Sequence, residues 1–538
     1  MIHVSIQHNQ YRNYTRSSEG IVTGSAFYLG EKYSEGKLLE LISAWDEEKR
    51  FIEGLKQMNG FYALIKKKDQ QLFAAVDRLR SIPLFYAKVG LDFYLSDSAD
   101  WVRHQVGNSE MDPVAREEFL LTGYVTGSDT LFPDVKQLQA GEALMVYNDC
   151  NTAELRQIRY YCFIHAYGTS KKMEELRGEH DKVLLRAFKR LIETANGRTL
   201  VAPLSGGHDS RLIVLMLKRL GYENLIAFSY GRNGNAESVV SKQIADALGI
   251  RWEFVEYNND LWYQWYRSED YSKYKEFASG SASLPHIQDW PAVWQLKKEN
   301  RLPLDSIFIP GHSADLLAGS RSEKIPELYV TKPPNNKKII NGIFRMHYSL
   351  IDWASRKNLL GPIFMTKLWH TIGALEQFPD SASALERWDI SERQAKFIIN
   401  SVRAYEYWGF SWWMPFWDYE YVQFWCSVPL KFRIQQRMYK KFVDDLSVTL
   451  IGRIIPTSQN PPSYIRDFKK VLVGFLNISM REQIKKILVN DKKFLHNAYY
   501  SHPLAYWGVC EYSNLLMRES RPANINAVLA SDFIKDYK

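Results

Sequence analysis

Within eight residues, Leu204-Ser205-Gly206-Gly207-His208-Asp209-Ser210-Arg211 gathers the groups that handle a polyphosphate. Two glycines let the backbone approach a ligand closely. Amides at a helix start bind phosphate, and Ser205 and Ser210 add hydroxyl donors. Asp209 can hold a magnesium ion bridging phosphate oxygens. The run lacks both the GK[ST] of a Walker A loop and the GxGxxG of a dinucleotide fold. The same residues also suit a tight strand-to-helix turn with a capping Ser or Asp, so the flanking elements have to decide.

Those elements favour a nucleotide loop. Residues 198–207 are an apolar strand running into the glycines, and 209–222 a helix with a Gly stop. Residues 224–231 read as a strand, 236–250 as a helix and 251–257 as a strand. This alternation predicts a parallel sheet. Before it, 172–195 is amphipathic at helical spacing. The first ~150 residues are β-rich. Hairpins are predicted over 60–77 and over 82–97, the latter turning near Gly90-Leu91-Asp92, with a short helix and loop over 111–126 and a strand ending 130–147. That profile is a β-sandwich with flanking helices. The remainder is mostly helical by pattern, without a fixed repeat.

The whole chain has 538 residues and a formal charge of +8, room for two to four domains at roughly 150 residues each. Hydrophobic residues are 46% and charged residues 24%, which excludes disorder, collagen and coiled coil. No stretch of ~18 apolar residues predicts a membrane span, and the N-terminus does not read as a secretory signal. Cys150, Cys162, Cys426 and Cys510 form no CxxC and no zinc spacing. A reducing, cytoplasmic setting is expected. The basic excess is scattered and suits an anionic small substrate or a polyanion.

Ser205-Gly206-Gly207-His208-Asp209-Ser210 resembles the pyrophosphate loop (PP-loop) of ATP pyrophosphatases, which form AMP and pyrophosphate. Asn59-Gly60-Phe61-Tyr62-Ala63, Asp77-Arg78 and Pro83-Leu84-Phe85-Tyr86 resemble the NGxFAF…RDRxGxxPLYY run of asparagine synthetases. Leu95-Ser96-Asp97 stands where that family has FSSE, and Gly123-Tyr124-Val125, Thr130-Leu131-Phe132 and Gly141 resemble its GYxxxxxTLFxxIxxLxPG. Pro310-Gly311-His312-Ser313-Ala314-Asp315 through Gly319 resembles the second pyrophosphate loop, SGxGSDExxGG. Trp408-Gly409 and Met414-Pro415-Phe416-Trp417-Asp418 resemble WGVEARVPFLD, and Arg437 to Phe442 the KMEKHIL stretch that carries the family's active-site lysine.

The resemblance implies an α/β chain: a class II amidotransferase-like αββα sandwich over 1–165, then a PP-loop parallel-sheet synthetase domain over 170–538 with a largely helical C-terminal part. It implies ATP and Mg2+, with Asp209 and Asp315 as metal ligands. Leu204, Ser205, Gly206, Gly207, Asp209, Ser210, Pro310 and Gly311 would surround ATP and pyrophosphate, and Ser229 the adenosine. Lys440 would stabilise transition-state charge, or is a solvated lysine beside Lys441. His312 is a candidate base for the incoming amine, or hydrogen-bonds phosphate. His208 reads as a spacer, or as a contact to the α-phosphate, and Glu237 as a cap of its own helix. Asp77-Arg78 and Pro83 read as fold-keeping, and Trp412-Trp413 as core or as a sugar platform.

The departures are informative. A glutaminase of this class needs Cys at position 2, where this chain has Ile2, and no cysteine precedes Cys150; a silent glutaminase is expected. Similar losses occur in β-lactam synthetase and in asparagine-synthetase-like enzymes of surface-polysaccharide gene clusters. His312, Leu316, Ser411 and Trp413 replace the family's acceptor-pocket residues. The implied activity is an AMP-forming amide ligase that joins ammonia or an amine donor to a small-molecule carboxylate acceptor. The acceptor classes are aspartate, a uronic acid sugar in polysaccharide biosynthesis, or an intramolecular carboxylate. A silent nucleotide-binding scaffold is the rival reading. Nucleic acid is not an expected partner; a homodimer is compatible.

Overall fold

In a computed structural model, the structure describes residues 1–148, 152–167, 171–457, 491–518 and 522–537; Cys150 lies outside them. Two sheets form the N-terminal half. The seven-stranded one runs Ala153–Arg159, Glu142–Asn148, Gln71–Val76, Asn59–Lys68, Gly20–Tyr28 and Tyr14–Arg16, with Glu31–Ser34 also paired to Gly20–Tyr28. The second orders Ile2–Ser5, Asp92–Ser96, Phe85–Val89 and Lys136–Gln137. Strand periodicity explains the layering. On Asn59–Lys68, Ala63 and Ile65 face the core between the sheets, while Tyr62 and Leu64 face the helices Glu35–Ser43 and Glu48–Gln57. Helix Ala99–Gln105 packs on the outer face of the smaller sheet. The order is helix, sheet, sheet, helix. Both predicted hairpins form, with Asp69-Gln70 and Gly90-Leu91 as their two-residue turns.

Three predicted strands become Leu200–Pro203, Leu225–Gly231 and Arg251–Glu256, and the predicted helices His208–Arg219 and Ala236–Leu248 connect them. The five-stranded parallel sheet orders Arg251–Glu256, Leu225–Gly231, Leu200–Pro203, Ile307–Phe308 and Ser411–Trp412. The chain winds outward from Leu200–Pro203 to one edge, then returns to place Ile307–Phe308 on the strand's other side. That reversal opens a crevice at the carboxyl ends of these two neighbours, where open α/β sheets bind ligands.

Beyond the sheet, helices Asn336–His347, Lys357–Ile372 and Ser381–Asp389 share a separate core. The last continues through a π-helical stretch, Ile390–Ile398, a 3₁₀ turn, Ile399–Val402, and a helix Arg403–Tyr407. Asp77 accepts from the amides of Leu79 and Tyr62, at 2.8 and 3.1 Å, a fold-keeping role. Trp413 is buried, its ring 4.9 Å from that of Phe61.

Candidate active site

The strand Leu200–Pro203 is held in register by its parallel neighbours and delivers Leu204, whose amide donates to the Phe228 carbonyl at 2.8 Å. The loop then folds on itself. The Ser205 amide donates to Ser210 Oγ at 3.0 Å and the Gly207 amide to Ser205 Oγ at 3.2 Å. Gly207 is the N-cap and supplies no side chain, so the helix His208–Arg219 opens with bare amides and the positive end of its dipole. Glu237 does not cap its own helix, a correction to the sequence reading; Asn235 does, and Glu237 Oε2 accepts from the Gly206 amide at 2.6 Å. A carboxylate oxygen thus sits where an amide nest would hold a phosphate oxygen.

The second loop reaches the first because Gly311 has no side chain. A Cβ there would stand 3.0 Å from the Ser210 amide nitrogen and 3.1 Å from the Asp209 carbonyl carbon. Ser313 adopts φ 67° and donates to Gln394 of the π-helical stretch at 2.5 Å, aiming the short helix Ala314–Leu317 at the crevice. Asp209 is not spent on its own helix. Its Oδ2 accepts from the Asp315 amide at 3.1 Å and its Oδ1 from the Tyr439 hydroxyl at 2.7 Å. Burial and the neighbouring Asp315 charge push Asp209 up to about 8. A buried carboxyl whose proton affinity is raised by a neighbouring carboxylate suits a cation, and a hard, oxygen-seeking one fits this donor set.

Eleven of the twelve expected site residues line one open cavity of about 860 Å³: Leu204, Ser205, Gly207, Asp209, Ser210, Ser229, Pro310, Gly311, His312, Asp315 and Lys440. Gly206 is the exception, its amide engaged by Glu237. Lys440 stands on the helix Arg437–Ile451 and pairs with Glu323 at 2.7 Å, both partly exposed at the mouth. Lys441 points elsewhere, to Asp445. His312 Nε2 lies 2.6 Å from Ser401 Oγ, and burial, then the charge of His286, brings the ring down to about 4. His208 lies 3.7 Å from Asp444, more than a spacer.

Sequence reasoning missed Tyr439, Ser401, Glu323 and Gln394, which hold Asp209, His312, Lys440 and Ser313. It also missed Asp289, which accepts from the Tyr405 hydroxyl at 2.6 Å and lines the cavity with it. None sits at a spacing that signals a site; each is brought in by the helices that cross the crevice. Only the match of Arg437 to Phe442 pointed toward Tyr439.

In the N-terminal half, Ile2 is buried between the sheets, and the α-amino group of Met1 meets Asp92 at 2.8 Å. Among the described residues the first cysteine is Cys162, beyond the sheets. The halves meet through buried charges. Arg12 meets Glu406 at 2.8 Å, and Lys396 donates to the Val125 and Gly127 carbonyls at 3.1 and 2.6 Å.

Two family models match the chain. One, described as a glutamine amidotransferase domain, matches residues 38–161; the other, asparagine synthase, matches 181–269. No curated protein matches. Among solved structures, the glutamine phosphoribosylpyrophosphate amidotransferase from B. subtilis, complexed with ADP and GMP, is similar at 10% identity over 55% of this chain, with a TM-score of 0.19. An allosteric regulatory enzyme of purine biosynthesis is similar at 12% identity over 55%, with a TM-score of 0.18. The chain spans 63% and 56% of those two chains, and likenesses this slight carry no argument.

Proposed function

We propose that this chain, whose successive amidotransferase and asparagine synthase domains make it asparagine-synthetase-like, is an ATP-dependent, AMP-forming amide ligase with a synthetase domain over 170–538. The observation that carries the reading is the convergence of Asp209, Asp315 and Lys440 on one cavity at the carboxyl ends of the central strands. A carboxylate oxygen of the acceptor attacks the α-phosphorus of ATP, and pyrophosphate leaves. The nitrogen of ammonia or an amine then attacks the acyl carbon; the nitrogen loses a proton and AMP leaves.

The chain's own groups suit these steps. The loop amides and the hydroxyls of Ser205 and Ser210 hold phosphate oxygens, displacing the Glu237 carboxylate. Ser229 and the aromatic wall of Phe228 and Tyr230 accept the nucleoside. Asp209 and Asp315 would hold Mg2+, which when bound neutralises phosphate charge. Lys440 opposes the charge that develops at phosphorus and at the acyl oxygen. His312 is neutral, and in the tautomer whose Nε2–H donates to Ser401, Nδ1 is left to take the amine proton.

His312 in place of a family glutamate removes negative charge from the cavity. That favours an acceptor without the α-ammonium of aspartate, such as a uronic acid sugar. The domain over 1–165 has Ile2 where a glutaminase of this class carries its cysteine, so ammonia is taken from solution or replaced by an amine substrate. The test is phosphorus NMR of reactions holding Mg·ATP, ammonium and either L-aspartate or D-glucuronate. AMP and pyrophosphate in equal amounts support the reading; ADP and orthophosphate would sink it.

A further inference from the structure

His286, Asp289 and Tyr405 line the same cavity as the two loops, and adenylation and amine attack as described use none of them. The segment that carries the first two is fixed by three buried tyrosines. Tyr274 donates to the His286 carbonyl at 2.6 Å, Tyr257 to the Gln288 carbonyl at 2.9 Å and Tyr405 to Asp289 Oδ2 at 2.6 Å. Asp289 stands at the N-cap of the helix Trp290–Lys298, yet its side chain does not bond that helix's amides. Its Oδ1 faces His286 Nδ1 at 3.7 Å instead, and neither atom has a hydrogen-bond partner among the described residues. Burial alone would raise Asp289, but His286 and Tyr405 bring it below its ordinary value, so it stands as a carboxylate. The His286 side chain keeps 18% of its surface open. With Nδ1 sealed against Asp289, the open edge of the ring is the one that carries Nε2. An imidazole backed by a carboxylate is the arrangement of a general base and its orienting group, and such contacts are often long until substrate binds.

The nitrogen donor supplies the need for such a base. Ammonia taken from solution is mostly ammonium at neutral pH, and an ammonium ion gives up two protons on its way to an amide, one before attack and one after it. His312 has the second; burial and the His286 charge make it a poor acceptor for the first. We propose, resting on the ligase reading, that His286 is the base that takes the first proton from an ammonium donor, with Asp289 as its positioning residue. Nε2 takes the proton, the broken N–H bond leaves its electron pair on nitrogen as the nucleophilic lone pair, and Asp289 accepts from Nδ1–H of the imidazolium. Neutral ammonia then attacks the acyl carbon, the second proton goes to His312 and AMP leaves. His286 returns its proton to solvent through the open cavity. The negative charge of Asp289 also favours a cationic donor at this wall.

The test separates donors by charge. The full chain is given Mg·ATP, D-glucuronate or L-aspartate, and either ammonium or hydroxylamine, which is mostly uncharged at neutral pH and needs no first deprotonation. His286→Asn is expected to lower amide formation from ammonium at least ~100-fold, the usual loss for a general base, and hydroxamate formation from hydroxylamine less than ~10-fold. Asp289→Asn should show the same split, more weakly. Equal losses with both donors would make the pair structural and overturn the proposal, as would a near-normal rate with ammonium in His286→Asn. Exchange of labelled pyrophosphate into ATP, which needs only the adenylate, keeps the two claims apart. Exchange in wild type with normal ammonium turnover in His286→Asn sinks the base alone; no exchange with either acceptor sinks the ligase reading and the base with it. The nitrogen-15 signals of the His286 ring in wild type give a readout without turnover. They are expected to place the proton on Nδ1, and a proton on Nε2 alone would overturn the proposal.

Discussion

At the scale of single residues the account makes its sharpest demands. Asp209→Asn and Asp315→Asn should each abolish pyrophosphate formation while leaving the fold intact, because an amide keeps the shape but not the charge that holds the cation. Near-normal turnover in either variant, measured by pyrophosphate release, removes that residue from the site. Lys440→Met should lower turnover at least ~100-fold, by the precedent of lost oxyanion donors, with ATP affinity little changed. Lys441→Met should be mild, since Lys441 faces Asp445 rather than the cavity. A damaging Lys441→Met with a harmless Lys440→Met would contradict the geometry. The loop residues were readable because the run stands between a strand and a helix of an alternating stretch; Gly-Gly and Asp alone would also suit a plain turn. Tyr439 and Ser401 were not, because a buried hydroxyl that orients a neighbour leaves no pattern in the chain.

Among elements, the decisive contact is loop on loop. Gly311→Ala would press a Cβ against the Ser210 amide and the Asp209 carbonyl carbon at 3.0 and 3.1 Å, both backbone and unable to swing aside. The expected outcome is a loss of ~1–3 kcal/mol in stability, as for overpacking, and a larger loss of pyrophosphate formation as Asp209 and Asp315 separate. Denaturant melts and turnover, measured together, check it; an unchanged rate would show that the loops need not touch. The strands and their hairpins were legible from period-two alternation and turn residues, and the parallel sheet from its alternation with helices. The placement of Ile307–Phe308 beside Leu200–Pro203 was not, since two residues are too short a signal. Nor was the π-helical stretch Ile390–Ile398, whose pattern reads as ordinary helix although Gln394 and the Ser401 just beyond it fix the second loop.

For the whole molecule, buried ionisable groups set the response to acid. His180 lies among Tyr421, Phe424, Trp425 and Phe442 with neither ring nitrogen bonded, and burial brings it down to about 3. Its unfolded form gains a proton below about pH 6.5, so stability present above that value drains away as pH falls toward 3. Burial alone would raise Glu386, yet Arg433 at 2.6 Å and His165 at 2.7 Å bring it down to about 2. Its share is present above about 4.5 and is lost as pH falls through that window. His180→Phe should raise the melting temperature at pH 5 more than at pH 8; equal shifts would mean the imidazole charge is not at issue. Asp418, read from sequence only as part of a motif, fastens the halves together. Arg190 grips it at 2.7 and 2.8 Å, and Asn59 of the sandwich donates to it at 2.9 Å. The central claim, adenylation of a carboxylate in the crevice at the carboxyl ends of the parallel strands, is tested most directly by isotope transfer. An acceptor bearing oxygen-18 in its carboxylate, turned over with Mg·ATP and ammonium, is expected to leave one labelled oxygen in AMP. Label in orthophosphate, or product amide with unlabelled AMP, would contradict it.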